Sequence, residues 1–194
     1  MGLAEVQVVL ARLFVDEELR ARFFSDPSAV GRSLGLDDRE ATGLAGLSPR
    51  HVSDFAAALR RKRVDDARKI VPLTASALGD RFAPLLLASI EGALPRGRHR
   101  DDARSLAAHL MTLSRVESFP IPWAGDLARY ELAFGEALTI RAGLITRRFR
   151  FPVRRLAEAI HHGVPIPSVR AGLTIGIWLR IPGRRGVVHR LLFS

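Results

Sequence analysis

The feature that most constrains this sequence is a single change of hydrophobic period near residue 147. Before it, apolar residues recur at three and four, as on helices with one buried stripe; after it they alternate, as on strands. From Thr174 to Ile181 the alternation places Ile175, Ile177, Leu179 and Ile181 on one side. Gly176, Trp178 and Arg180 fall on the other. Pro182-Gly183-Arg184-Arg185-Gly186 reads as a turn and Val187–Phe193 as a returning strand. Arg147–Phe151 reads as a short strand before Pro152, and Val153–His162 as a short helix. The fold class expected is α+β. An N-terminal helical bundle over residues 1–146 is followed by a small C-terminal domain over 147–194, closed by a basic β-hairpin.

Within the helical part, proline marks the restarts. Residues 4–24 read as one helix with Val8, Leu10, Leu13, Phe14, Leu19 and Phe23 on its buried side. Asp26-Pro27 and Ser48-Pro49 each pair an N-cap with a proline at the first helical position. The helix after Pro27 ends at Gly35, a left-handed cap; Asp37 or Asp38 starts another, to about Leu47. The helix opened by Pro49 runs to about Ile70 with Val52, Phe55, Ala56 and Leu59 as its stripe. Two helical segments are expected over 71–94, meeting at Gly79. A basic loop at 95–100 and a helix over Asp101–Val116 follow.

The stretch Phe119–Ala137, FPIPWAGDLARYELAFGEA, joins the two periods. Pro120 and Pro122 hold the lead-in extended. A helix is expected from about Asp126, with Leu127, Tyr130, Phe134 and Leu138 as one stripe and Arg129, Glu131 and Glu136 off it.

Charge is distributed unevenly. Residues 1–59 carry 6 arginines against 9 acids, whereas residues 147–194 carry 10 basic residues against 1 acid. A cationic C-terminal quarter on a nearly neutral body favours an anionic partner: nucleic acid, an acidic peptide or an acidic protein face. Only Lys62 and Lys69 among 30 basic residues are lysines, which fits bidentate recognition and equally a GC-rich genome. Arg60-Arg61-Lys62-Arg63 fits a nucleic-acid contact and equally a solvated face near a helix end. With no cysteine, disulfides, thiolate metal sites and a cysteine nucleophile are excluded. No signal peptide is visible, and the longest uncharged apolar run, Phe82–Ile90, is about half the ~20 residues of a membrane span. A cytoplasmic protein without a membrane segment is expected.

No catalytic constellation is visible, and neither a cofactor nor a metal is expected. His161 and His162 are adjacent, so on a helix they diverge by about 100° and cannot chelate as i,i+4 histidines do. HExxH and a Gly-rich phosphate loop are absent. The sequence reads as a binder rather than an enzyme. Trp178, Arg180, Arg184, Arg185 and Arg190 are the candidate peptide-binding residues, an extended acidic peptide adding to the sheet edge. The alternative is that Trp178 packs on the helix at 153–162 and the arginines only guard an edge strand.

PLTASALGDRFAPLL (Pro72–Leu86) followed by DLARYELAFGEA (Asp126–Ala137) resembles the HvfC/BufC-type partner proteins. These accompany multinuclear non-heme iron-dependent oxidative enzymes that modify ribosomally made peptides. The resemblance covers roughly residues 55–150, and its most specific part is the match of Asp126, Leu127, Ala128, Arg129 and Glu131 to that group's DLARLE wording. It implies a helical N-terminal domain, often labelled DNA-binding, joined to a smaller C-terminal one. It also implies a non-catalytic subunit that docks on the iron enzyme and helps present the precursor peptide. Asp126, Arg129, Tyr130 and Glu131 are the partner-binding candidates it suggests. This chain differs in an additional N-terminal helical segment and a longer basic hairpin. A nucleic-acid-binding regulator is the other function considered, although no stretch has the turn and recognition helix of a helix-turn-helix.

Overall fold

The computed structural model describes residues 3–94, 100–116, 118–183 and 186–192. It is α+β, with helices through most of the chain and a three-stranded antiparallel sheet near the C-terminus. The chain divides into two compact units, one of Met1–Asp65 with Ile90–Gly97, the other of Asp66–Ser89 with Arg98–Ser194.

The first unit holds helices α1 (Leu3–Val15), α2 (Glu17–Ser25), α3 (Pro27–Ser33), α4 (Asp38–Ala45) and the start of α5 (Pro49–Ile70). The single helix expected over 4–24 is two. Asp16 leaves helical geometry (φ −113°, ψ 109°) and its carboxylate accepts the Leu19 N–H at 2.8 Å, so it caps α2. Within α1, Val9 and Leu13 face the core, whereas Val8, expected on the buried side, is 52% exposed. With Phe23, Val30, Leu36, Ala41 and Leu44 they form one cluster. Asp26-Pro27 starts α3 as its sequence indicates, and Asp37 makes a reciprocal capping box with Glu40. The α3–α4 contact is tight, since a Cβ on Gly31 would lie 2.6 Å from that of Ala41.

Helix α5 buries Val52 and Ala56, whereas Phe55, expected on the same stripe, stays 54% exposed with its ring against Phe14. The basic run on α5 is engaged within this unit: Arg60 pairs with Glu17 at 2.9 Å, and buried Arg63 donates to the Ala93 carbonyl at 3.0 Å.

The second unit contains α6 (Pro72–Leu78), α7 (Phe82–Ser89), α8 (Asp101–Leu113), α9 (Ala124–Thr139) and α10 (Val153–His161). Its strands are β1 (Gly143–Phe149), β2 (Thr174–Arg180) and β3 (Val188–Leu192). Gly79, at φ +54°, turns α6 into α7 through a short 3-10 segment. Helices α8 and α9 approach closely at Gly125, where a Cβ would come within 2.8 Å of the Met111 backbone nitrogen. Helix α9 starts two residues before Asp126 and buries Leu127, Ala128, Ala133 and Ala137; Leu138, expected on its stripe, is 57% exposed.

The sheet order is β1-β2-β3, so the expected hairpin gains a third strand beginning at Gly143 rather than Arg147. Gly143 pairs with Arg180, Ile145 with Trp178, and Trp178 in turn with His189. A sheet this small cannot bury a core by itself. Its inner face packs on Ala133 and Ala137 of α9, which lies in the same compact unit as the strands. Among the described residues, no single helix is long and apolar enough to cross a membrane.

Candidate peptide-binding surface

Two carboxylates on α9 point into the unit. Asp126 is 2% exposed and accepts the backbone N–H groups of Arg150 (2.5 Å) and Phe151 (3.2 Å). Arg129, one turn on, donates to its other oxygen at 3.0 Å and lies over the Phe149 ring. Burial raises the Asp126 pKa above the ordinary aspartate value, against the pull of those donors. Glu131 does the equivalent for α6. No side chain near the start of α6 caps it, and Glu131 accepts the N–H of Leu73 (2.7 Å), the N–H of Thr74 (2.9 Å) and the Thr74 hydroxyl (2.6 Å). Its pKa too is raised by burial.

Of the four candidate partner-binding residues, then, Asp126, Arg129 and Glu131 make internal contacts. Tyr130 is half-buried among Phe134, Phe149, Trp178 and His189. Glu131, expected off the buried stripe, is turned inward because α6 supplies it with three donors.

The five candidate peptide-binding residues are spread over different surfaces. Trp178 is fully buried, its ring stacked on His189 at 5.2 Å and edge-on to Phe134 and Phe149. It packs mainly against α9 and β1, with Val153 of α10 in the same cluster. Space is so tight that a Cβ on Gly176 would overlap the indole and come 2.9 Å from Phe149 Cε2. Burial lowers the His189 pKa, and the positive charge of Arg154 lowers it further. Arg180 shares the inner face at the hairpin end and donates to the Gly186 carbonyl at 2.5 Å. Arg190 is exposed on the outer face, opposite Ile177. Arg184 and Arg185 lie outside the described residues.

The aliphatic side of β2 is the outer one. Residues paired across antiparallel strands share a face, so the register gives three outer rows. These are Leu144-Leu179-Val188, Thr146-Ile177-Arg190 and Arg148-Ile175-Leu192. Leu144 is 62% exposed, and Leu179, Val188 and Leu192 are between 38% and 44% exposed. No acid occurs on the three strands. The result is an aliphatic surface with two outward arginines and two open strand edges, β1 and β3.

The wall formed by α9 and α10 bounds a groove of about 470 Å³ that includes Tyr130, Phe134, Leu73, His161 and His162. The two histidine rings meet edge to face on the exposed end of α10. Among the described residues, no three acidic or histidine side chains are placed to hold a metal ion.

Residues 44–112, from the end of α4 through α8, match the family described as SCO6045-like, C-terminal domain. The matched stretch is similar to that family and ends before α9 and the sheet. No curated protein matches the chain.

Proposed function

We propose that this chain is a non-catalytic partner subunit that docks on a multinuclear iron-dependent oxidative enzyme in the cytoplasm and presents a ribosomally made precursor peptide. The resemblance in Pro72–Leu86 and Asp126–Ala137 supplies the enzyme class. One observation supports peptide capture: the outer sheet face combines solvent-exposed aliphatic side chains with Arg148 and Arg190 and carries no acid. An extended chain gains backbone hydrogen bonds at a strand edge, burial on this face, and charge pairing if it is acidic.

Nucleic acid is the less favoured occupant. Single strands bind by stacking bases on exposed aromatics, and every described Phe, Tyr and Trp side chain in the second unit is buried or half-buried. The test is purification of the tagged protein from its native cells. Recovery of an iron-containing enzyme together with a short peptide supports the reading, and loss of the peptide alone in Arg148→Glu/Arg190→Glu ties it to the sheet. Recovery of nuclease-sensitive nucleic acid in place of both overturns it.

A further inference from the structure

At the end of the sheet where β2 begins, a cleft of about 500 Å³ opens between the first turn of α10 and the extended segment 164–173. Arg155 and Arg170 line it from opposite elements, together with Pro152, Ser168, Val169 and Thr174. A hydrogen bond from Gly172 N–H to the Arg150 carbonyl, 2.7 Å, pins the segment that carries Arg170. Neither Arg155 nor Arg170 has an ion-pair or side-chain hydrogen-bond partner among the described residues. The one acid between residues 147 and 194 is Glu158, and Arg154 holds it at 2.7 Å. Two exposed guanidinium groups thus line one concave site with no internal carboxylate to neutralise them.

From this we propose that the cleft is a carboxylate-binding site that takes an aspartate or glutamate side chain of an extended peptide. The proposal rests on the peptide reading above and names the chemistry of the residue that anchors it. Guanidinium forks hold carboxylates and phosphates alike through paired charge-assisted hydrogen bonds. The surroundings favour the peptide. The cleft walls are proline, valine and small polar residues without an aromatic ring. Thr174, buried in its lining, is followed by Ile175, paired with Arg148 on the aliphatic outer face. A chain with an acid in the cleft continues directly onto apolar contacts that nucleic acid would not satisfy.

Fluorescence anisotropy on the full chain tests this with three probes: the labelled hexapeptide Val-Glu-Ile-Glu-Val-Glu, its glutamine counterpart, and a short oligothymidylate. The glutamate peptide is expected to bind at least about tenfold tighter than the other two, as two charge-assisted pairs would give. Arg155→Gln/Arg170→Gln should cost about tenfold for the glutamate peptide. Arg39→Gln/Arg50→Gln, which removes the same charge from exposed sites of the first unit, should change it less than about twofold. Equal losses in both pairs would mean diffuse attraction and overturn the cleft. So would tighter binding of the oligothymidylate. An unaffected cleft variant, with loss on Arg148→Gln/Arg190→Gln, overturns the cleft and leaves the sheet reading standing. No binding of the glutamate peptide to the wild type overturns both.

Discussion

Glu131 and Thr74 are joined twice: one carboxylate oxygen of Glu131 accepts both the backbone N–H of Thr74, at 2.9 Å, and its hydroxyl, at 2.6 Å. The other oxygen takes the Leu73 N–H. A helix without a local cap is therefore capped from an element 57 residues further along. Removing the carboxylate leaves three donors unsatisfied in a largely enclosed place. Glu131→Ala is expected to cost about 2–4 kcal/mol, from a charged cap together with stranded donors. Urea unfolding followed by circular dichroism measures it; a cost under about 0.5 kcal/mol would mean that water replaces the carboxylate.

His189 predicts a pH dependence. Its folded pKa lies below the ordinary value of 6.5, so the unfolded chain binds a proton more readily. Its stabilising effect is present above pH 6.5 and is lost as pH falls through the folded value. Asp126 and Glu131, with raised pKa values, give the opposite slope, so the comparison is between wild type and His189→Phe. The variant should lose less stability than wild type between about pH 7 and pH 5. Parallel curves would show that the imidazole titrates alike in both states.

Two glycines should respond to alanine with opposite signs. Gly176→Ala forces a methyl into Trp178 and Phe149 and is expected to destabilise by about 1–3 kcal/mol. Gly43, inside α4, has nothing within 4 Å of an added Cβ, so Gly43→Ala should stabilise by about 0.5–1 kcal/mol. Thermal melts of the two variants check both signs at once.

On the outer face, Leu144→Asp places a like charge in the path of an acidic peptide at a side chain that is 62% exposed, with little packing to lose. The melting temperature should stay within about 2 °C of wild type, and affinity for the glutamate hexapeptide should fall about tenfold or more. Full affinity in a folded Leu144→Asp protein would remove this face from the binding surface.

What the sequence made visible is what a few neighbouring residues decide. Asp26-Pro27, the Asp37 cap, Ser48-Pro49 and the Gly79 turn all stand where their local chemistry puts them. The alternation over 174–181 correctly separates two faces of β2, but which one is buried depends on α9. The small alanines Ala133 and Ala137 leave room for an indole, and Trp178 fills it opposite Gly176. Leu144 and Ile145 come soon after a long helix, and their pairing with β2 residues more than thirty positions away gives no local sign. The cleft lined by Arg155 and Arg170 was equally hidden, because a loop and a helix turn bring those side chains together. Asp126 and Glu131 looked outward for the same reason: their donors lie 24 and 57–58 residues away.

The two inward carboxylates of α9 change what likeness in this part of the chain signifies. Asp126 fastens the corner between β1 and α10, and Glu131 fastens the start of α6, so DLARYE works as a clasp holding three separate segments on one rod. Kinship in such wording follows the architecture, since chains that close the same way need the same clasp whatever they carry. On the proposed peptide reading, the choice of cargo falls to the solvent side of the strands and the cleft beside them, where substitution costs the fold little. Proteins alike at α9 can therefore share a frame and differ in what they bind.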